Sequence, residues 1–159
     1  MIFEEIQKAI ESCSLRVKSN DYKRPWGGFL VIDESQAQEF TNSYFEGSDI
    51  SNLKISGKLS PKILIVLPNK RLSWQYHHRR AEIWRVIQGP VGVKRSPTDT
   101  EGMLEILNVG DTITLQQGER HRLIGLDDYA VIAEIWQHTD SNHPSDEDDI
   151  VRVQDDFGR

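Results

Sequence analysis

Two short stretches of the sequence contain the side chains best suited to chemistry. In the first, Gln75 and His77 alternate, so on a strand both side chains point to the same face. Glu82 follows after four intervening residues, and Gly89 comes where a hairpin would turn. In the second, His121 opens a β-prone run after a Gln-Gln-Gly turn. Imidazole and carboxylate groups are ligands of borderline divalent ions, so metal binding is the chemistry that these stretches indicate.

The spacing in both stretches is that of the two cupin motifs. The first cupin motif has Gly, five residues, His-x-His, three or four residues, Glu, six residues and Gly; here it runs from Asn69, in the opening Gly place, to Gly89. The second has Gly, five residues, Pro-x-Gly, two residues and His; here it runs from Gly110 to His121. The sequence thus resembles the cupin family, which implies an all-β fold, the double-stranded β-helix or jelly-roll barrel.

The cupin resemblance also implies a ligand set and one bound ion. The implied ligands are Gln75, His77, Glu82 and His121. Two nitrogen ligands with one or two oxygen ligands inside a barrel suit a divalent ion, with Zn²⁺ expected first and Mn²⁺, Co²⁺, Fe²⁺ or Ni²⁺ as alternatives.

Gln75, in place of the first motif histidine, narrows the resemblance. The phrase LSWQYHHRRAEIW resembles the LS-x-Q-x-H-x-HRAEHW signature of type II mannose-6-phosphate isomerases, the cupin domain that often forms the C-terminal part of bifunctional mannose-1-phosphate guanylyltransferases. Other landmarks of that family follow in the same order: Arg24-Pro25-Trp26-Gly27, Lys62, His121-Arg122-Leu123, Glu134 and the ending from Glu147 to Arg159. The resemblance implies metal-dependent interconversion of mannose 6-phosphate and fructose 6-phosphate, without a guanylyltransferase domain.

Such an isomerisation needs a base that moves a proton between C2 and C1, an electrophile and a cation for the phosphate. The resemblance implies Glu134 as the base, with Lys62 as the alternative base or a ligand of a sugar oxygen, and places Arg152 near the sugar or its phosphate. Further candidates for binding the substrate are Arg80, Arg122 and Arg24.

Most of these residues also have a structural interpretation. Glu134 could pair with an arginine of the barrel, and Lys62 could be a solvated residue at a strand end. Because neighbours on a strand alternate, Arg122 is expected to point away from the face that carries His121. Arg24 is expected to close the barrel rather than reach the site.

Four departures from the family pattern leave a second function open. Arg79 and Ile83 stand where the family has histidines, Gln116 where cupins prefer proline, and Gly125 where the family has asparagine. The alternative is a cupin that binds a sugar phosphate or sugar nucleotide without turning it over. A cupin oxygenase is a third possibility, made less attractive by Gln75 in place of histidine.

The composition limits the partners. The 159 residues suit a single domain, and the net charge of −6 argues against a nucleic-acid or anionic membrane surface. The resemblance to the isomerase family implies a small sugar phosphate as the partner. One cysteine, an acidic N-terminal stretch and short apolar runs predict a reduced, cytoplasmic protein with no export signal and no membrane span. The cupin resemblance implies a homodimer.

Periodicity gives the expected order of elements in this one domain. Apolar residues at three- and four-residue intervals predict a short N-terminal helix, assigned to residues 1–20, before a barrel with a C-terminal extension over residues 21–159. The segment from Glu34 to Lys58 indicates a long loop or an irregular strand pair. The acidic end after His138 has the composition of a frayed tail, although a site role for Arg152 requires it to fold over the barrel.

Overall fold

Two antiparallel β-sheets form the body of the molecule, in a computed structural model that describes residues 1–48, 50–53 and 57–159. In this part of the chain the strands are β1 (Val17–Arg24), β2 (Gly27–Ile32), β3 (Lys62–Val66), β4 (Trp74–Tyr76), β5 (Arg80–Gln88), β6 (Val91–Ser96), β7 (Glu105–Leu107), β8 (Thr112–Leu115), β9 (Arg120–Ile124), β10 (Ala130–His138) and β11 (Val151–Gln154). One sheet has the order β1-β2-β3-β10-β5-β8, and the other has the order β11-β4-β9-β6-β7. Strands distant in sequence lie side by side, as the predicted double-stranded β-helix requires.

Alternation along the central strands separates two hydrophobic cores. On β3, Ile63 and Ile65 face a core that includes the N-terminal helix, whereas Leu64 and Val66 face a core shared by the two sheets. A strand that is buried on both faces reads as a continuous apolar run, which is the pattern of this segment. The same alternation on β10 places Glu134 on the inner face, inside the barrel.

The N-terminal helix is shorter than predicted. Helix α1 spans Ile2–Ser12 and packs against the outer face of the six-stranded sheet through Phe3, Ile6 and Ile10. The assignment of residues 1–20 to this helix is wrong at its C-terminal end, because the chain from Val17 onward pairs with β2 as the edge strand β1. Ser14, with φ of 63°, reverses the chain between the two elements.

Helices also occupy the segment from Glu34 to Lys58. The described part contains a 3₁₀ turn (Glu34–Gln36), α2 (Ala37–Tyr44) and α3 (Ile50–Leu53). The expected loop or strand pair is therefore wrong there, because Ala37, Phe40 and Thr41 are buried at helical spacing; residues 49 and 54–56 lie outside the described residues. No helix in the described ranges is long and apolar enough to cross a membrane.

The C-terminal end is ordered rather than frayed. β11 pairs with β4, and Arg152 lies opposite Gln75 in the register. Before β11, the side chains of Ser145 and Asp149 are buried. The expectation from composition is wrong because the acidic side chains of this segment accept hydrogen bonds from backbone N–H groups, as Asp149 does from His78.

The turns of the two cupin motifs retain the conformation that their glycines provide. Gly110 and Gly118 have φ of 92° and 77°, a region that favours glycine. Asn69, in the glycine place that opens the first motif, has φ of 58°. Asparagine tolerates this left-handed region better than most residues, so the replacement keeps the turn.

His138 anchors the C-terminal segment from inside the molecule. Its Nδ1 accepts the backbone N–H of Ser145 at 2.9 Å, and its Nε2 lies 2.9 Å from Ser60 Oγ. Burial lowers the pKa of His138 to about 4, and the charges of Lys58 and Arg80 act in the same direction. A proton on Nδ1 would also break the bond from Ser145.

The stability of the fold is therefore expected to decrease in mild acid. Because the pKa of folded His138 lies below its ordinary value of 6.5, the unfolded chain binds more protons between those two values. The stabilisation is fully present above about pH 6.5 and is lost as the pH falls through this window, by about 1–2 kcal/mol. Urea unfolding should show a wild-type advantage over His138→Gln that narrows as the pH falls; an advantage independent of pH would contradict this assignment.

Candidate metal centre

Three buried side chains from both sheets converge inside the barrel. His77 follows β4, Glu82 lies on β5 and His121 on β9. Their candidate ligand atoms all lie within 4.8 Å of one another. Glu82 places one carboxylate oxygen 3.2 Å from His77 Nε2 and the other 3.5 Å from His121 Nε2. The side chains are 2–3% exposed, so water does not solvate this group of donors.

Backbone carbonyls orient both imidazoles. His77 Nδ1–H donates to the carbonyl of Asp149 at 2.7 Å, and His121 Nδ1–H donates to that of Glu119 at 3.0 Å. Because a carbonyl oxygen only accepts hydrogen bonds, each ring keeps its proton on Nδ1, and its unprotonated Nε2 faces Glu82. His121 Nε2 is buried without a hydrogen-bond partner. An ion-binding histidine typically has this orientation, with the second nitrogen held by a carbonyl.

The charges of this cluster also suit a cation. Burial lowers the pKa of His77, which favours the neutral ring that a metal requires. Burial raises the pKa of Glu82, but the positive charge beside it, from Arg80 and from His77 whenever that ring is protonated, lowers it well below its usual range. A carboxylate facing two imidazole lone pairs is a donor set that fits a borderline divalent ion.

Gln75 completes the predicted ligand set at the edge of this cluster. It lies opposite His121 in the register of β4 and β9, and its Nε2 is 3.4 Å from His77 Nε2. Its Oε1 accepts a 2.6 Å hydrogen bond from Ser73. The structure therefore brings all four predicted ligands together, and Gln75 would coordinate through Oε1 once its amide turns.

Arg80 lines the cavity but its donors are already used. Its Nε donates to Glu82 at 2.9 Å, and its NH1 donates to Ser145 Oγ and to the carbonyl of Asp146, both at 2.9 Å. The guanidinium lies 3.6 Å from the centre of the Trp136 ring. Arg80 therefore links Glu82 to the C-terminal segment. This structural role differs from the predicted role of Arg80 in binding the substrate.

Glu134 lies in the same cavity, next to the ligand cluster. Its two carboxylate oxygens accept indole N–H bonds from Trp84 at 3.0 Å and from Trp136 at 2.5 Å. Burial raises the pKa of Glu134 to about 7, and the negative charge of Glu82 contributes in the same direction. The indole of Trp84 also lies 3.2 Å from Glu82, so one N–H faces both carboxylates.

Lys62 extends the polar floor of the cavity. It pairs with Glu134 in the register of β3 and β10, and its ammonium group lies 4.1 Å from the centre of the Trp136 ring. It forms an ion pair with Glu147 of the C-terminal segment. Burial lowers the pKa of Lys62 to about 8. Only 6% of the residue is exposed, so its interpretation as a solvated strand-end lysine is wrong.

Three further arginines line the same cavity. Arg24 and Arg152 line it, as does Arg159, which closes the family-like ending that begins at Glu147 but is not among the predicted site residues. Within the described residues, the side chain of Arg152 makes no hydrogen bond or ion pair. Burial lowers the pKa of Arg152, and so do the charges of Arg159 and Arg24.

Arg122 is not brought to the site. It points to the opposite face from His121, as expected, and its donors bond to the Leu72 carbonyl and Glu101 at 2.8 Å each. A third bond reaches the carbonyl of Gln154. Arg122 thus fastens strands and loops outside the cavity, and its candidate role in substrate binding is not supported.

A family comparison decides which group of cupins this chain belongs to. Residues 38–155 match the family model described as Mannose-6-phosphate isomerase C-terminal. The chain belongs to this family. The match covers the four candidate ligands, Glu134 and Arg152, and the membership confirms the resemblance noted in the sequence.

Curated relatives of this mannose-6-phosphate isomerase C-terminal domain are longer proteins. The chain is 30% identical over 136 residues to xanthan biosynthesis protein XanB of Xanthomonas campestris pv. campestris, covering 86% of this chain and 23% of that protein. It is 28% identical over 141 residues to mannose-1-phosphate guanylyltransferase ManC of Salmonella typhimurium, covering 86% and 22%. The chain thus spans less than a quarter of the length of these relatives.

Solved structures confirm the fold of this family member. The capsular polysaccharide assembling protein CapF of Staphylococcus aureus superposes with a TM-score of 0.57 at 14% identity, covering 88% of this chain and 34% of CapF. Vicilin of Corylus avellana gives the same TM-score at 15% identity, covering 87% and 36%. With the two antiparallel sheets, these likenesses establish the cupin double-stranded β-helix.

The departures from the family pattern leave the ligand cluster intact. Ile83 faces the helix-covered core, on the opposite side of β5 from Glu82. Arg79 lies within 3.9 Å of Asp149 as an ion pair outside the cavity. Gln116 donates its backbone N–H to Glu119 at 2.8 Å, a bond that proline would not make. At Gly125 an added Cβ would lie 2.1 Å from a backbone oxygen, so no larger side chain fits.

Proposed function

We propose that this chain is a metal-dependent aldose–ketose isomerase that interconverts mannose 6-phosphate and fructose 6-phosphate. The observation that carries the proposal is the position of Glu134, a buried carboxylate with a raised pKa, in one cavity with Glu82, the carboxylate of the His77–Glu82–His121 cluster. Membership of the mannose-6-phosphate isomerase C-terminal family supports the same reaction.

The ligand cluster would provide the electrophile. Gln75, His77, Glu82 and His121 would hold one divalent ion, with Zn²⁺ as the first candidate. When bound, such an ion polarises sugar oxygens and stabilises the negative charge of an enediolate. The protein contributes a buried cluster in which hydrogen bonds hold both imidazoles and the carboxylate before the sugar arrives.

Glu134 would transfer the proton. A carboxylate whose pKa is about 7 takes a proton from C2 and returns it to C1 at neutral pH without a large energetic penalty in either direction. The indole N–H groups of Trp84 and Trp136 hold both oxygens in place. Lys62, close to Glu134 in the register, is placed to contact a sugar oxygen.

The arginines would bind the phosphate. Arg24, Arg152 and Arg159 line the cavity, and Arg152 has no ion-pair partner among the described residues. Guanidinium groups bind phosphate through two parallel donors, so few of them are needed. A phosphate would also compete with Glu147 for Lys62.

A coupled assay of mannose 6-phosphate isomerisation tests the proposal. The protein is stripped of metal, reloaded separately with Zn²⁺, Mn²⁺, Co²⁺, Fe²⁺ or Ni²⁺, and assayed for fructose 6-phosphate and for exchange of solvent deuterium into C2. Turnover with at least one metal and none after stripping is the expected result. A protein that holds one ion but neither forms product nor exchanges deuterium is not this isomerase.

Calorimetry, combined with the deuterium-exchange measurement, tests the alternative that the protein binds a sugar phosphate without turning it over. The residues that suggested this alternative, Arg79, Ile83 and Gln116, lie outside the cavity lining. Calorimetric binding of mannose 6-phosphate without deuterium exchange would establish that function instead.

A further inference from the structure

The short segment from Ser145 to Asp149 bonds to residues on both sides of the ligand cluster. It precedes β11 and lies over the end of the barrel, where its two terminal members are 3% exposed. We propose that Asp149 and Ser145 are positioning residues for the metal centre, which set the tautomer of His77 and the orientation of Glu82. This inference rests on the proposed metal centre, but its test is separable from the isomerase reaction.

Asp149 holds three consecutive residues of the first cupin motif. Its backbone carbonyl accepts His77 Nδ1–H at 2.7 Å. Its carboxylate accepts the backbone N–H groups of His78 at 2.9 Å and Arg79 at 3.0 Å, one on each oxygen. Because both side-chain bonds fix the backbone next to His77, the carbonyl and the imidazole cannot drift apart independently. The ring is thereby kept with its proton on Nδ1 and its lone pair on Nε2.

Ser145 continues this connection to Glu82. Its hydroxyl donates to the Asp149 carboxylate at 2.6 Å and accepts from Arg80 at 2.9 Å. Arg80 in turn donates to Glu82 at 2.9 Å. An unbroken series of buried hydrogen bonds thus runs from one candidate ligand to another through the C-terminal segment. Partners of this kind, which do not touch the metal, typically change metal affinity 10–100-fold when removed.

Asp149→Asn is the sharpest test of this arrangement. Asparagine offers one acceptor oxygen, and its amide nitrogen would face a donor: an N–H of the His78–Arg79 turn or the Ser145 hydroxyl. In the metal-free protein, ¹H–¹⁵N spectra of the histidine rings are expected to show His77 as a single Nδ1–H tautomer in the wild type and as a mixture in the variant. Titration with Co²⁺, followed by its visible absorption, is expected to show about 10–100-fold weaker binding.

Two further comparisons separate positioning from folding. Asp33→Asn is the matched control, because Asp33 also accepts a backbone N–H at 2.9 Å but lies far from the cluster in a 3₁₀ turn. It should leave the His77 tautomer and Co²⁺ affinity unchanged. If Asp149→Asn does not fold, Ser145→Ala replaces it, with Ser145→Thr expected to restore the hydroxyl and most of the affinity.

The outcomes distinguish this inference from the isomerase proposal. A single His77 tautomer and Co²⁺ affinity within about twofold of wild type, in both Asp149→Asn and Ser145→Ala, would overturn the positioning role. Weakened Co²⁺ binding in a protein that never isomerises mannose 6-phosphate would support positioning and overturn only the reaction. If the wild type binds no Co²⁺, the metal centre fails, and the His77 tautomer alone decides the role of Asp149.

Discussion

His77→Ala is expected to lower kcat/KM for mannose 6-phosphate by at least about 10³-fold. The change removes a ligand nitrogen and leaves Glu82 without one of the two imidazoles that face it. A bound divalent ion supplies several kcal/mol of charge stabilisation to an isomerisation, and each 1.4 kcal/mol is a factor of ten in rate. Steady-state kinetics with protein loaded at saturating metal, together with metal content by elemental analysis, measure the effect.

The neighbouring histidine provides the control for this prediction. His78 is exposed, packs its ring edge-on against Tyr76, and makes its bond to Asp149 through the backbone N–H. His78→Ala therefore keeps the turn while removing an imidazole one residue away, and near wild-type activity is expected. Equal losses in the two variants would show that the turn matters and that the imidazole of His77 does not bind the metal.

Glu134→Gln is expected to lower kcat by about 10²–10⁴-fold with Co²⁺ affinity unchanged. Loss of a positioned general base has an effect of this size, and Glu134 is not among the metal ligands. Glutamine keeps an acceptor for one indole N–H, so the side chain stays in place while its basicity is lost. Exchange of solvent deuterium into C2 should fall by the same factor as turnover.

An acid-to-amide change far from the cavity controls for the loss of charge. Glu5 is exposed on α1, which packs on the outer face of the six-stranded sheet, and Glu5→Gln is expected to leave kcat unchanged. If Glu134→Gln still exchanges solvent deuterium into C2, the base is Lys62, the alternative that the sequence suggested. Loss of metal from Glu134→Gln would instead indicate that this carboxylate binds the ion.

The resemblance of the two motif spacings to the cupin pattern predicted the ligand cluster and the barrel. The glycine places of the two motifs fix where β4, β5 and β9 begin and turn, so the residues at fixed distances from them meet inside the barrel. The apolar runs predicted β3, β5 and β10 because strands buried on both faces contain few polar residues. Glu134 and Lys62 interrupt those runs, and it was the family resemblance that identified them as site residues.

Local composition could not predict how the C-terminal segment folds. Its residues are mostly acidic and polar, and such a stretch is disordered unless tertiary partners are supplied. The partners here are backbone N–H groups of His78 and Arg79 and the guanidinium of Arg80, which lie some seventy positions earlier in the chain. Neither the position of Asp149 beside His77 nor the use of Arg80 as a structural donor follows from periodicity.

The pairing of β11 with β4 has a consequence for the order of events on the ribosome. His77 is synthesised 72 positions before Asp149, so a nascent chain contains this imidazole while Asp149 is still to be made. During that interval His77 lacks the carbonyl that selects its tautomer. A nascent chain should therefore capture metal ions poorly, and metal loading should follow synthesis rather than accompany it.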